Sequence, residues 1–275
     1  MVELRQENGR KNATFLKGSA MRIATVVCIV GVMVVSLGAF PAQGAPEKAD
    51  RGAMPKHPAF FEPRDDPALP RVLLIGDSIS IGYTVAVRKS LCDKANVHRI
   101  PMNGGPTSRG LDQLDKWLGD GRWDLIHFNW GLHDLKRMED GKHQVPIEQY
   151  EKNLRELARR LKHTGAKLIW ASTTPVPNVP AEQLRPPRHS DDVVAYNAVA
   201  KRIMDQDRIP INDLYAFALP RLADTQLENN VHFTIKGYAA LAEQVTAAIV
   251  AVLAGKPVPP PKEYHGKTPA AKERR

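Results

Sequence analysis

The stretch Arg71-Val-Leu-Leu-Ile-Gly-Asp-Ser-Ile-Ser80 decides how this chain folds. Its apolar run, Val72 to Ile75, stops at Gly76 and delivers Asp77 and Ser78 at its end. A short run of this kind, bounded by a glycine, reads as a strand buried on both faces. In an open α/β sheet, ligands bind outside the carboxyl ends of the strands. A serine held there is a candidate nucleophile if a histidine from elsewhere in the chain reaches it and takes its proton.

Outward from this strand the same pattern returns. Ile81 to Lys94 has helical apolar spacing, and Val97 to Ile100 is a short second strand. Met102-Asn-Gly-Gly-Pro-Thr-Ser108 is a glycine-rich loop that opens a helix with Leu111, Leu114, Trp117 and Leu118 on one face. Trp123 to Trp130 reads as the third strand and runs into Gly131-Leu-His-Asp134. Pro146 suits the start of a long amphipathic helix carrying Ile147, Tyr150, Leu154, Leu157 and Leu161. Lys167 to Ala171 is the fourth strand, followed by a proline-rich loop from Ser172 to about His189, long enough to belong to a binding site or to be disordered. Val193 to Met204 is helical, Ile209 to Ile211 is a fifth strand, and Leu214 to Leu222 is a short helix. Glu228-Asn-Asn-Val-His-Phe-Thr234 then leads into a helix from Ile235 to about Leu253. Strands alternating with helices predict a five-stranded parallel sheet covered on both faces, in one domain over residues 68–254.

The two ends read differently. Lys11, Lys17 and Arg22 precede a stretch without charge from Ile23 to Phe40, and Pro41-Ala-Gln-Gly-Ala45 follows with small residues. Residues 1–44 resemble an export signal, with an uncleaved membrane anchor as the alternative. The body of the protein is expected outside the cytoplasm, periplasmic or secreted. Residues 45–67 are a proline-rich linker or arm, and residues 255–275 a basic, proline-rich tail expected to be disordered. Of the net charge of +9, residues 1–44 hold +3 and residues 256–275 hold +4, which leaves +2 for the rest. A basic nucleic-acid groove is therefore not indicated. Removal of the leader takes away Cys28 and leaves Cys92 alone, so no internal disulfide is expected.

Four blocks carry polar residues at strand ends or at the entry to the last helix. They are Gly76-Asp-Ser-Ile, Gly104-Gly105, Gly131-x-His-Asp and Asn229-x-x-His232. In this order they resemble the SGNH (GDSL-type) hydrolase family, along the whole of the domain. The resemblance implies a flavodoxin-like three-layer α/β/α sandwich and ester hydrolysis through an acyl-serine intermediate. It implies Ser78 as nucleophile and His232 as base, and an oxyanion hole made from the Ser78 N–H, the Gly105 N–H and a donor from the third block. Two departures stand out. The family's third block has Asn where this chain has His133, whose ring N–H serves as a donor only in the right tautomer. The family's Asp-x-x-His has Asn229 in the acid position. An asparagine carbonyl orients an imidazole but adds no negative charge. Asn229 as orienter, a carboxylate such as Glu228 or Asp224 in its place, and a weak or inactive relative remain open at this stage. Asp134 is read as structural, holding its loop.

Exported relatives without a lipid anchor include enzymes that remove O-acetyl groups from polysaccharides. The expectation is an esterase for O-acetyl or other short acyl groups on carbohydrate. A lipase or lysophospholipase, and a non-catalytic polysaccharide-binding protein of the same fold, are the alternatives. Trp130, Thr173 and Thr174 are the candidates for lining a sugar site. No cofactor is expected, and no metal: His127, His133, Asp134 and His232 lack paired ligand spacing. A monomer is expected, with no nucleic-acid partner and membrane contact only through an uncleaved N-terminal segment.

Overall fold

A computed structural model describes residues 57–264 except 178, 181 and 182. The apolar N-terminal stretch, most of the linker and the last eleven residues lie outside the described residues.

Residues Arg71–Ile75 form β1, and three of the other strands are as short: β2 (Asn96–Arg99), β3 (Leu125–Phe128) and β4 (Lys167–Ala171). The fifth, β5 (Ile211–Asn212), has only two residues. All pair in parallel in the order β2-β1-β3-β4-β5, with Val72 opposite Val97 on one side and Leu125 on the other. A parallel sheet needs helical crossovers, and these cover both its faces, which is why β1 and most of β4 read as apolar runs, while edge strand β2, Asn-Val-His-Arg, does not.

The helices are α1 (Ser78–Ser90), α2 (Thr107–Leu118), α3 (Ile147–His163), α4 (Ser190–Asp207), α5 (Leu214–Ala218), α6 (Leu222–Thr225) and α7 (Ile235–Leu253). The chain leaves β1 toward β2, then crosses back over β1 to β3. Right-handed crossovers therefore place α1 on one face and α2, α3 and α4 on the other. Helix α7 packs against α1 and against β4, while α2, α3 and α4 pack in series. Helix α7 is apolar and long enough to cross a membrane, at 19 residues with a mean hydropathy of 1.3, but its contacts make it a layer of this domain. Strand order reverses between β1 and β3, and a crevice opens there at the carboxyl ends.

The third strand is shorter than the run Trp123–Trp130 predicts. Its end comes at Phe128, and the Trp130 side chain turns into the core, where a Cβ on Gly110 would lie 2.9 Å from the indole. The tail also differs from expectation. Residues 256–264 have no regular structure but are held to the domain, with Arg221 Nη2 donating to Lys262 O at 2.6 Å. At the other end Asp66 N–H donates to Asn96 Oδ1 at 2.9 Å and Arg88 donates to Pro58 O at 3.1 Å. These contacts wrap residues 57–70 around the β2 edge as an arm.

Candidate active site

Strand β1 ends at Gly76, and Asp77 caps α1 by accepting from the Ile79 N–H at 2.8 Å. The capping role thus falls to Asp77, and Ser78, the first helical residue, keeps its hydroxyl for another partner. A buried arginine fixes this turn. The Arg99 guanidinium donates to Gly76 O at 2.9 Å, Asp77 O at 3.1 Å and Ser80 Oγ at 2.6 Å, and also to Ile100 O and Met102 O. Burial pushes its pKa down to about 10, which leaves it charged at neutral pH. The second block closes on the same turn. Gly104 N–H donates to Gly76 O at 2.9 Å, and a side chain at 104 would have its Cβ 2.9 Å from that carbonyl, so only glycine fits there.

His232 arrives from the turn before α7, and its Nε2 lies 2.9 Å from Ser78 Oγ. The partner of its other nitrogen is Asn230, whose Oδ1 is 2.7 Å from Nδ1. The same Oδ1 accepts from the His232 backbone N–H at 3.0 Å. An N–H can only donate, so the amide oxygen must face the ring, and Nδ1 carries the proton. Nε2 is then a free acceptor for the serine hydroxyl. Burial lowers the His232 pKa, opposed by the charge of Asp77 and helped by that of Arg188. The neutral form is favoured, as a proton acceptor requires.

The orienter is therefore not Asn229. That residue takes the left-handed conformation, φ +47°, inside the turn closed by Leu227 N–H to His232 O at 2.9 Å, and its side chain makes no hydrogen bond among the described residues. It lines the cleft but does not hold the histidine. Neither alternative carboxylate is on the ring. Glu228 is exposed, and Asp224 accepts from the Tyr264 hydroxyl.

The third block places His133 in the same cleft. Its Nδ1 lies 2.9 Å from Lys136 Nζ. An ammonium has no lone pair to offer, so His133 Nδ1 accepts and the ring proton sits on Nε2. Burial pushes the His133 pKa down to about 4, with Asp77 opposing and Lys136, Arg188 and Arg109 adding to the fall. Asp134 next to it is wholly buried and accepts from both the N–H (2.8 Å) and the hydroxyl of Thr107, tying this loop to the start of α2. Its pKa rises to about 7, chiefly through burial.

Three sequence expectations meet a different arrangement. Gly105 has φ +62°, and its N–H donates to Asn103 Oδ1 at 2.9 Å, so the expected oxyanion donor already has an acceptor. Trp130 is 1% exposed and packs in the core rather than presenting a face to the cleft. Thr173 and Thr174 are buried too, and line a small void with Asp77, Tyr83 and Leu214 instead of the cleft. The Thr173 backbone is locked to the Asn197 side chain at 2.9 Å in both directions.

One cleft of about 560 Å³ joins Ser78, His133, Asn229 and His232 with Asn103, Lys136, Asn230 and the loop residues 183–186 and 188. Asn230, Lys136, Arg99 and Arg188 were not singled out from the sequence. A Gly-x-His-Asp-x-Lys spacing that sets Lys136 three residues after His133 was the one local signal for any of them.

A strand-end serine bonded to a histidine, in the crevice of a five-stranded parallel sheet of flavodoxin-like order, is the arrangement of a serine hydrolase. The chain belongs to the GDSL-like lipase/acylhydrolase family, whose model matches residues 74–240, and it is a carboxylic ester hydrolase. No curated protein matches it. Among solved structures it is similar to the lipase/acylhydrolase from Enterococcus faecalis, at 20% identity and TM-score 0.57 over 71% of this chain and all (100%) of that one. It is also similar to the acetyl xylan esterase AlAXEase, at 15% identity and TM-score 0.55 over 65% of this chain and 99% of the other. A third is the acetylxylan esterase Axe2 from Geobacillus stearothermophilus, at 17% identity and TM-score 0.52, covering 64% and 92% of the two chains. At these identities the likeness is one of fold.

Proposed function

We propose that this chain is an exported serine esterase that removes acetyl or other short acyl groups from carbohydrate, with Ser78 as nucleophile and His232 as base. The Ser78 Oγ to His232 Nε2 distance of 2.9 Å carries the proposal. His232 takes the hydroxyl proton as Oγ attacks the ester carbonyl, then returns it to the leaving alcohol, giving an acyl-serine. Water activated by the same nitrogen releases the acid and regenerates the serine. Asn230 holds the ring in the required tautomer through both steps.

The negative charge that develops on the carbonyl oxygen needs donors already in place. The Ser78 N–H, first in its helix, has no intrahelical acceptor. His133 Nε2–H, kept in that tautomer by Lys136, is the second donor. Gly105 joins them if the Asn103 side chain rotates off its N–H. In this reading Lys136 does for the oxyanion histidine what Asn230 does for the base.

Two similar structures are acetyl xylan esterases, and a cleft lined mostly by polar residues suits a sugar acetate better than a long acyl chain. Export rests on the uncharged stretch Ile23–Phe40 with its small-residue sequel. A fluorophosphonate probe tests the catalytic assignment. Wild-type protein is expected to label, and labelling should vanish in Ser78→Ala and fall by at least about a hundredfold in rate in His232→Ala. Folded wild-type protein that resists the probe would sink the proposal.

A further inference from the structure

We infer that the cleft selects esters bearing an anionic group, a carboxylate or a phosphate, close to the scissile bond; this rests on the esterase reading above. Its described lining contains Lys136, Arg185 and Arg188 and no carboxylate. Lys136 comes from the turn after β3, and the two arginines from the proline-rich loop after β4. Two separate loops thus bring cations to one cavity beside Ser78.

None of the three is neutralised by an ion pair among the described residues. Lys136 Nζ gives one proton to His133 Nδ1 and has two more to donate. The Arg188 guanidinium is buried and pinned, with Nε donating to Leu132 O at 2.8 Å and Nη1 to Pro186 O at 3.2 Å. Its Nη2 has no protein partner among the described residues. Arg185 is exposed and makes no hydrogen bond there. Asp77 is the carboxylate whose field reaches both Lys136 and Arg188, and its oxygen is engaged in capping α1; Asp134 also acts on Lys136, but it is buried and held by the Thr107 N–H and hydroxyl. Arg109 adds a further positive charge that acts on both Lys136 and His133.

A partly buried cation without a counter-ion is costly, and burial accordingly lowers the pKa of both Arg188 and Lys136. An anion from the substrate offsets that cost. A pinned guanidinium with free N–H groups also matches the flat oxygens of a carboxylate or the face of a phosphate. If these charges served only the oxyanion, neutral and anionic esters would be hydrolysed alike.

The test uses the full-length protein with three acetyl esters at the same sugar hydroxyl: a methyl glucuronoside, its neutral carboxyl methyl ester, and a methyl glucoside 6-phosphate. At low salt, kcat/KM for at least one anionic ester is expected to exceed that of the neutral one by about tenfold, and the faster of the two identifies the group. The ratio should fall severalfold as ionic strength rises from roughly 0.02 to 0.5 M. Arg185→Gln should lower it at least about threefold. Hydrolysis of the neutral ester with no anionic preference overturns the inference alone, as does a preference indifferent to both salt and Arg185→Gln. Failure to hydrolyse any of the three overturns the carbohydrate-esterase reading and the inference with it.

Discussion

Ser78 sits on backbone tied down from across the sheet, whereas His232 is oriented from two residues away. The turn at Gly76-Asp77 is gripped by Arg99, more than twenty residues on in sequence, and by Gly104 of the next loop. The ring of His232 rests on one amide oxygen supplied by its neighbour Asn230. The nucleophile's position is thus a property of the whole sheet edge, and the base's position is a property of one turn. The difference also concerns charge. A buried cation organises the serine's loop, while a neutral group orients the histidine, which gains no charge from its orienter when it becomes an imidazolium and has only the field of Asp77 to favour that form.

The contrast can be broken most severely on the serine side. Arg99→Met strips donors from several strand-end carbonyls, each costing about 1–3 kcal/mol if left unsatisfied, against which the relief of a buried charge is set. A net loss of about 2–4 kcal/mol is expected in chemical denaturation, together with loss of probe labelling. Unchanged stability would show that the loop holds itself.

On the histidine side the effect should fall on rate rather than stability. Asn230→Ala is expected to lower kcat/KM for a neutral aryl acetate by about ten- to a hundredfold, and Asn229→Gly by far less. Equal effects would contradict the assignment of the orienter to position 230. Asn230→Asp adds a charge beside Nδ1 that stabilises the imidazolium, so the His232 pKa rises. The acid limb of kcat/KM, which lies below the ordinary histidine pKa of 6.5 in the wild type, should move to higher pH, with activity above the limb kept or raised. A limb that stays in place would mean that position 230 does not act on His232.

A smaller effect than at Asn230 is expected at Lys136. Lys136→Met removes the donor that keeps the proton on His133 Nε2 and one of the charges that hold its pKa low. The kcat for a neutral ester should fall severalfold to about tenfold, with Lys136→Arg restoring part of it. The kcat profile of the methionine variant should also show His133 titrating at higher pH than its wild-type value of about 4.

Much of the fold was legible because a parallel sheet buried on both faces leaves unbroken apolar runs, and Val72–Ile75 and Leu168–Ala171 are such runs. Ser78, His133 and His232 were legible because they stand next to strand ends or a helix start, where topology alone brings them to one edge. The orienter was misplaced by one residue. The Asp-x-x-His spacing pointed to Asn229, but a left-handed residue in the turn moves the contact to Asn230, and no periodicity encodes that. Trp130 and the threonines of the fourth loop were placed beside the substrate by their position after strands, yet their side chains face the interior.

Composition and order along the chain therefore determined the layers of the sheet and brought Ser78 and His232, the proposed nucleophile and base, to one edge, since these follow from hydrophobic burial and from where strands end. The tertiary structure alone decided the partners of those groups: Asn230 on His232, Lys136 on His133, Arg99 on the serine turn, and Arg185 and Arg188 on the cleft wall. Hydrogen bonds and ion placement depend on distances of a few tenths of an ångström and on the conformation of single turns. Those are fixed only when the loops pack against one another.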